Sequence, residues 1–191
     1  MYQKYHTEAL VLQALEIGEA DRTFAVFTRD FGLVRARASS VRSEKSKMRY
    51  ALQSYGRAHI SLVKGKRGWR MAGASAIQSA GGDLKSISVF ARISTLTMRL
   101  VHGEEKNDYL FAALADAHEA LMHVEGEIPH ATIEIVCVAR ILYALGYLST
   151  EALETQLFTH TAYAMEHVHE AEGMRDELLS SINKAIAETQ L

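Results

Sequence analysis

The apolar residues of this chain recur at two different spacings, and the change falls at Gly81-Gly82. Ahead of the glycine pair the spacing is two, the signature of strands whose side chains alternate between faces. Behind it the steps are three and four, one stripe along a helix. Only one proline occurs in 191 residues, so glycine does most of the punctuating. Strands gathered in one half and helices in the other predict an α+β chain of two domains, residues 1–80 and 81–191.

In the first half, residues 6–16 fit a strand or a helix, and the company they keep decides for a strand. Phe24, Val26 and Thr28 alternate with Ala25, Phe27 and Arg29, as in a strand partly buried on both faces. Arg29-Asp30-Phe31-Gly32 reads as a turn, with Gly32 free to take a positive φ. Val34, Ala36 and Ala38 then alternate with Arg35, Arg37 and Ser39, which puts both arginines on one face. Residues 40–53 are polar and basic, a long loop with room for a helical turn. A fourth strand follows over His59–Val63, then a hairpin turn at Lys64-Gly-Lys-Arg-Gly68, then a fifth strand over Trp69–Ala76. Five short strands with a long insertion after the third predict a small barrel, closed or partly open.

The second half predicts five helices. Val89, Ile93, Leu96 and Leu100 face inward on the first, which Gly103 stops. Leu110, Leu114, Ala117, Leu121 and Val124 mark the second, ended by Gly126. Pro129 opens the third, where its missing N–H costs nothing, and that helix runs to Leu145 with Gly146 as its stop. Ser149 or Thr150 caps a fourth, with Leu153, Leu157, Ala164 and Val168 inward. The fifth begins near Met174 and uses Leu178, Ile182 and Ala185.

Charge divides at the same place. Residues 1–80 hold 14 Lys/Arg against 6 Asp/Glu, and residues 81–191 hold 7 against 17, so a net charge of −2 conceals halves of +8 and −10. Between Arg35 and Arg70 stand eleven basic residues and one acid, Glu44. Such concentration predicts a surface for a polyanion. A lone cysteine, Cys137, forms neither an intramolecular disulfide nor a cysteine-rich zinc site and suits a reducing cytosol. The N-terminus lacks the pattern of a signal peptide, and no apolar run is long enough to span a membrane.

No catalytic motif stands out. There is no phosphate-cradling G-x-x-x-x-G-K-[ST] and no G-x-S-x-G elbow. His118 and His123 flank Glu119 one residue too far apart for a zincin pair; on a helix their rings diverge by about 140°. Glu166-x-x-His169 matches half of a di-iron motif, and His160 with His167 lacks a third ligand. No metal and no cofactor is expected, and the chain is read as a binding protein rather than an enzyme.

The nucleic-acid constellation is fuller. Lys and Arg hold phosphates with release of counterions, and aromatic rings stack on unpaired bases. Arg35 and Arg37 lie on a strand face; Arg42, Lys45, Lys47 and Arg49 lie in the loop after it, beside Tyr50 and Tyr55. Lys64, Lys66, Arg67 and Arg70 surround Trp69 on the hairpin. For Trp69 and Tyr55, core packing is as good a reading as base stacking.

These residues resemble the RecO family of recombination mediator proteins. The resemblance runs through Gly18-Glu-Ala-Asp-Arg22, Phe27-Thr-Arg-Asp-Phe-Gly32, Ser46-Lys-Met-Arg49, Ala51-Leu-Gln53 and Lys64-Gly-Lys-Arg-Gly-Trp69. Leu142-Tyr-Ala-Leu-Gly-Tyr-Leu148 looks like the segment with which the family closes on Leu-Gly-Tyr. Residues 6–78 match well, 84–148 loosely, and the last 40 add nothing. The resemblance implies an N-terminal OB-fold barrel followed by an all-α domain. It implies binding to single- and double-stranded DNA, strand annealing and recombinase loading, with RecR-like and single-strand DNA-binding protein partners, in a bacterial, nucleoid-associated setting. It would make Asp21-Arg22 a structural pair at the start of the second strand. The chain departs from the family in lacking the four-cysteine zinc motif of many members, in its shortness, and in having no proline in the basic loop. Three rivals remain open: an RNA-binding OB module, a protein–protein adaptor whose basic face docks an acidic partner, and a nuclease. The nuclease would need carboxylates for Mg²⁺ beside the basic residues, where only Glu44 stands.

Overall fold

The computed structural model of the protein describes residues 3–122, 128–148 and 155–188. Five strands come first: β1 (Lys4–Ile17), β2 (Asp21–Thr28), β3 (Gly32–Ala38), β4 (Arg57–Gly65) and β5 (Gly68–Gln78), with a single helical turn, α1 (Met48–Ala51), between β3 and β4. They close into a barrel in the order β1-β2-β3-β5-β4. Every pairing is antiparallel except β3 with β5, a short parallel contact of Ala36 with Trp69 and Arg37 with Arg70. Closure asks β1 to pair on both sides, with β4 through its first half and with β2 through its second. A bulge between Val11 and Gln13 bends it at the changeover, and Val11 there exchanges backbone bonds with Gly56 (2.9 Å) and Tyr55 (2.7 Å).

The period of two fixes which side chains fill the barrel. Phe24, Val26, Val34, Ala36, Ala38, Ala58, Ile60, Leu62, Trp69 and Met71 share one core with Ala9 and Val11, and Val41 and Leu52 enter it from the loop and helical turn after β3. Ala25 and Phe27 are buried as well, so β2 is covered on both faces. The β2–β3 turn is tied by the Thr28 hydroxyl, which donates to the Gly32 carbonyl (3.0 Å) and accepts the Phe31 N–H (3.0 Å). Gly32 sits at φ +61°, where a side chain would be strained.

Helices follow: α2 (Leu84–Leu100), α3 (Asp108–Met122), α4 (His130–Ala144), α5 (Met165–Gly173) and α6 (Arg175–Glu188). Pro129 caps α4, its carbonyl accepting the N–H groups of Thr132 and Ile133. Gly146 at φ +77° ends it, with paired bonds from Gly146 to Tyr143 and from Tyr147 to Leu142. Leu178, Ile182 and Ala185 are buried on α6 as their spacing predicts. The predicted fourth helix is shorter than expected. Val124, Ser149, Thr150 and Leu153 lie outside the described residues, and residues 155–164 form irregular turns before α5 begins. The reason is Arg140 of α4. Its fully buried guanidinium donates to the carbonyls of Leu157 (3.0 Å), Thr161 (2.6 Å) and Ala162 (3.5 Å), and lies 4.9 Å from the centre of the Tyr163 ring. A helix would turn those carbonyls toward its own N–H groups.

The chain forms two compact units, residues 1–81 with 94–108, and residues 82–93 with 109–191. The sequence boundary assigns 94–108 to the helical half; in the structure this stretch groups with the barrel.

Candidate nucleic-acid interface

Alternation on β3 turns Val34, Ala36 and Ala38 inward and leaves Arg35 and Arg37 exposed on the barrel's outer face. The parallel pairing sets Arg70 of β5 directly beside Arg37. Beyond them the β4–β5 hairpin, closed by Gly65 opposite Gly68, carries Lys66 and Arg67 into solvent. Arg35, Arg37, Arg70, Lys66 and Arg67 thus come from neighbouring strands and one turn. Lys45 and Lys47 are exposed on the loop before α1, and the Arg49 guanidinium lies 5.2 Å from the centre of the Tyr50 ring, whose residue is 61 % exposed.

Several of these cations already have acids. Arg37 Nη2 and Nε lie 2.6 and 3.0 Å from Asp21 Oδ2, while Asp21 Oδ1 accepts the Ser40 N–H at 2.7 Å. The Ser40 bond, then the Arg37 bond, hold the Asp21 carboxyl below its ordinary pKa against a smaller desolvation effect. Arg42 reaches Glu16 (3.3 Å) and the Gly18 carbonyl (3.2 Å), and its own N–H binds the Ala20 carbonyl, so the basic loop is fastened to the β1–β2 hairpin. Arg22 also binds Glu16 (3.0 Å). Asp21 and Arg22 therefore serve as separate tethers at the start of β2, each with a partner elsewhere. Lys64 Nζ lies 2.8 Å from Glu104 Oε2. Among the described residues, Arg35, Lys45, Lys47, Lys66 and Arg67 make no ion pair.

Of the two readings left open for Trp69, the structure without nucleic acid shows the packed one: the ring belongs to the barrel core. It is 7 % exposed and packs with Tyr5 and Phe31 at ring-centre distances of 5.4 and 5.6 Å. Burying a large ring outweighs presenting it to solvent. Tyr55 is half-buried with φ +65° and holds the β1 bulge through its backbone.

Sequence reasoning missed a second surface. A groove of about 590 Å³ on β1, β4 and β5 is lined by His6, Glu8, Arg29, His59, Ser61 and Gly73, among others. Glu8 there pairs with both Arg29 (2.8 Å) and Arg57, and His6 Nδ1 lies 2.9 Å from the Ser61 hydroxyl. Its sequence signal is the alternation of His6 with Thr7 and of His59 with Ile60, but only the strand register brings the two sets together.

The histidines of the second half are placed as follows. His118 is fully buried against the Phe90 ring (5.0 Å), and His123 lies outside the described residues. His160 and His167 stack at 5.9 Å although His160 precedes α5. Among the described residues no group of three or more His, Cys, Asp or Glu is disposed to hold a metal ion, and no helix is long and apolar enough to cross a membrane.

Residues 1–79 match the family model described as Recombination protein O N terminal. Among similar curated proteins is the DNA repair protein RecO of Desulfitobacterium hafniense, 42% identical over 62 residues, 32% of this chain and 23% of that protein. That of Dehalococcoides mccartyi is 30% identical over 120 residues, 61% of this chain and 47% of that protein. That of Pelotomaculum thermopropionicum is 25% identical over 146 residues, 75% and 56% respectively. The chain spans about half, or less, of the length of the relatives it matches.

Proposed function

We propose that this chain, whose residues 1–79 match the N-terminal model of recombination protein O, is a RecO-type protein whose barrel binds single- and double-stranded DNA by electrostatic capture of the backbone, with no bond chemistry, in recombinational repair. The observation that carries the reading is the meeting of Arg35, Arg37 and Arg70 on the outer β3–β5 face, with Lys66 and Arg67 continuing it along the hairpin. Phosphates spaced along a strand are met by several cations at once, and each contact releases a counterion. Lys45, Lys47 and Arg49 extend the surface along the loop before α1, with Tyr50 as the exposed ring against which a base can stack.

The acids already paired with Arg37, Arg42 and Lys64 do not close the surface. Ion pairs at exposed positions are weak and screened by salt, so a phosphate exchanges with a carboxylate at little cost. Annealing follows from the same surface when it holds two strands close and screens their repulsion. Recombinase loading, the RecR-like and single-strand DNA-binding protein partners, and a cytoplasmic, nucleoid-associated place belong to the same proposal and rest on the similarity to RecO proteins.

The test is fluorescence anisotropy of labelled single- and double-stranded DNA across a salt series, with matched RNA as competitor. For about five to eight phosphate contacts, the log–log salt slope on single strands is roughly −3 to −6. Replacing Arg35 and Lys66 together by Glu weakens binding by roughly tenfold or more at low salt, with an unchanged circular dichroism spectrum. Arg37 is left intact, because Glu there would face Asp21. A slope near zero, or full affinity in the double variant, refutes the assignment; preference for RNA favours the RNA-binding alternative.

A further inference from the structure

Three features meet at the end of the barrel where β4 turns into β5. The first is aromatic: Tyr5, Phe31 and Trp69 pack edge-on or tilted, with ring centres 5.4–5.6 Å apart. The second is a cation: the Lys64 ammonium lies 4.9 Å from the centre of the Trp69 ring. A cation beside aromatic rings is the combination that single-strand sites use for a phosphate and its base. The third is an acidic strap from the same compact unit, the segment after α2 that contains Glu104 and Glu105.

This strap is seated closely. Glu104 Oε2 lies 2.8 Å from Lys64 Nζ. The Lys64 bond holds the Glu104 carboxyl below its ordinary pKa against an opposing desolvation effect. The backbone follows: a Cβ on Gly32 would come within 2.2 Å of the Glu105 carbonyl oxygen, so only glycine admits the segment at this approach. Yet the Lys64–Glu104 pair is open to water, its side chains 55% and 40% exposed. A pair so exposed is weak and is screened further by salt.

We propose that Glu104 occupies the place of a nucleic-acid phosphate at Lys64, and that a single strand displaces the strap and stacks a base on the Trp69 cluster beneath it. The inference rests on the reading of the barrel as a DNA-binding domain. It also gives Trp69 two states: packed under the strap without DNA, and in contact with a base when DNA is bound. Unpaired bases are the ligand class, since a base held in a duplex cannot offer its face to the ring.

Trp69 is the chain's only tryptophan, so its emission reports this site alone. The full chain is titrated with oligo(dT) across a salt series as wild type, as Glu104→Gln, and as Glu177→Gln, an equal charge change at an exposed site on α6. Glu104→Gln binds oligo(dT) about three- to fivefold more tightly, because no carboxylate has to leave Lys64 before a phosphate reaches it. Its Trp69 emission is more accessible to acrylamide before DNA is added, and oligo(dT) quenches the emission of both proteins. Glu177→Gln, the control for loss of one exposed acid as such, stays within about twofold of wild type. An affinity of Glu104→Gln equal to wild type, or a Trp69 emission that oligo(dT) leaves unmoved, overturns the proposal. Salt-dependent binding by wild type with no gain in Glu104→Gln refutes the strap alone, whereas absence of binding in both proteins refutes the DNA-binding reading with it.

Discussion

Arg140→Met tests the most unusual packing in the helical region. Arg140 is fully buried, and its guanidinium donates to three main-chain carbonyls in the stretch before α5. Methionine keeps most of the aliphatic volume, so the change removes the fork and the charge without a large cavity. Two effects oppose each other. Removing the guanidinium relieves the cost of burying a cation, which is how some buried ion pairs are replaced at no loss. Against that, the carbonyls remain. The bond to Leu157 is fully buried, whereas those to Thr161 and Ala162 are partly open and water can replace them. A hydrogen bond to a charged group contributes about 1.5–3 kcal/mol, and a carbonyl left without a partner costs about 1–3 kcal/mol. Loss of the contact with the Tyr163 ring adds about 0.5–2 kcal/mol. Allowing for the relief of charge burial, the net loss is about 2–4 kcal/mol. For a chain of this size that lowers Tm by roughly 5–15 °C. Calorimetry reads the shift, and hydrogen exchange localises it to faster amide exchange in residues 155–168. A variant within about 0.5 kcal/mol of wild type would mean that the cost of burying the cation cancels its bonds, and would refute Arg140 as the organiser of that stretch.

Two further outcomes follow from single residues. Burial pushes the Glu8 carboxyl up, but its bonds from Arg29 and Arg57 outweigh this and leave its pKa below 4.5. Its stabilising contribution is therefore present above that pH and lost as pH falls through the lowered folded value; urea midpoints measured from pH 6 to pH 3 decline less steeply in Glu8→Gln than in wild type, and parallel slopes would refute the pairing. Burial pushes the Cys137 thiol up to about 12, so the native protein at pH 8 reacts with Ellman's reagent only at the rate of unfolding, while urea releases one fast-reacting thiol per chain; a prompt native reaction would refute the burial.

The strands were legible because the period of two is kept through β3, much of β4 and the start of β5, and each of the five predicted segments lies largely within a strand of the barrel. The seat of Trp69 was legible too, had one constraint been pressed: it alternates with Arg70, and a charge on one face of a strand sends the other face inward. The fourth helix was not legible. Leu157, Ala164 and Val168 keep helical spacing, but what unwinds their segment is a guanidinium 17–22 residues earlier on α4. Nothing local in residues 155–164 announces that their carbonyls have partners elsewhere.

The same distinction separates the readable part of the site from the rest. Eleven basic residues between Arg35 and Arg70 can be counted in the sequence, but their acids cannot be assigned there: Asp21 stands 16 residues before Arg37 and Glu104 stands 40 after Lys64. Composition therefore overstates how many cations are at once available to a polyanion. Arg35, Lys45, Lys47, Lys66 and Arg67 can meet phosphates without displacing an acid of the described structure, whereas Arg37, Arg42 and Lys64 must first exchange a carboxylate for a phosphate. That exchange swaps one anion for another, so it adds little to affinity while changing what the freed acid was holding. Asp21 holds the exit of β3 through Ser40, Glu16 binds the basic loop, and Glu104 fastens the strap over Trp69. Binding strength should then follow the five unpaired cations, and the conformational response to binding should follow the three paired ones.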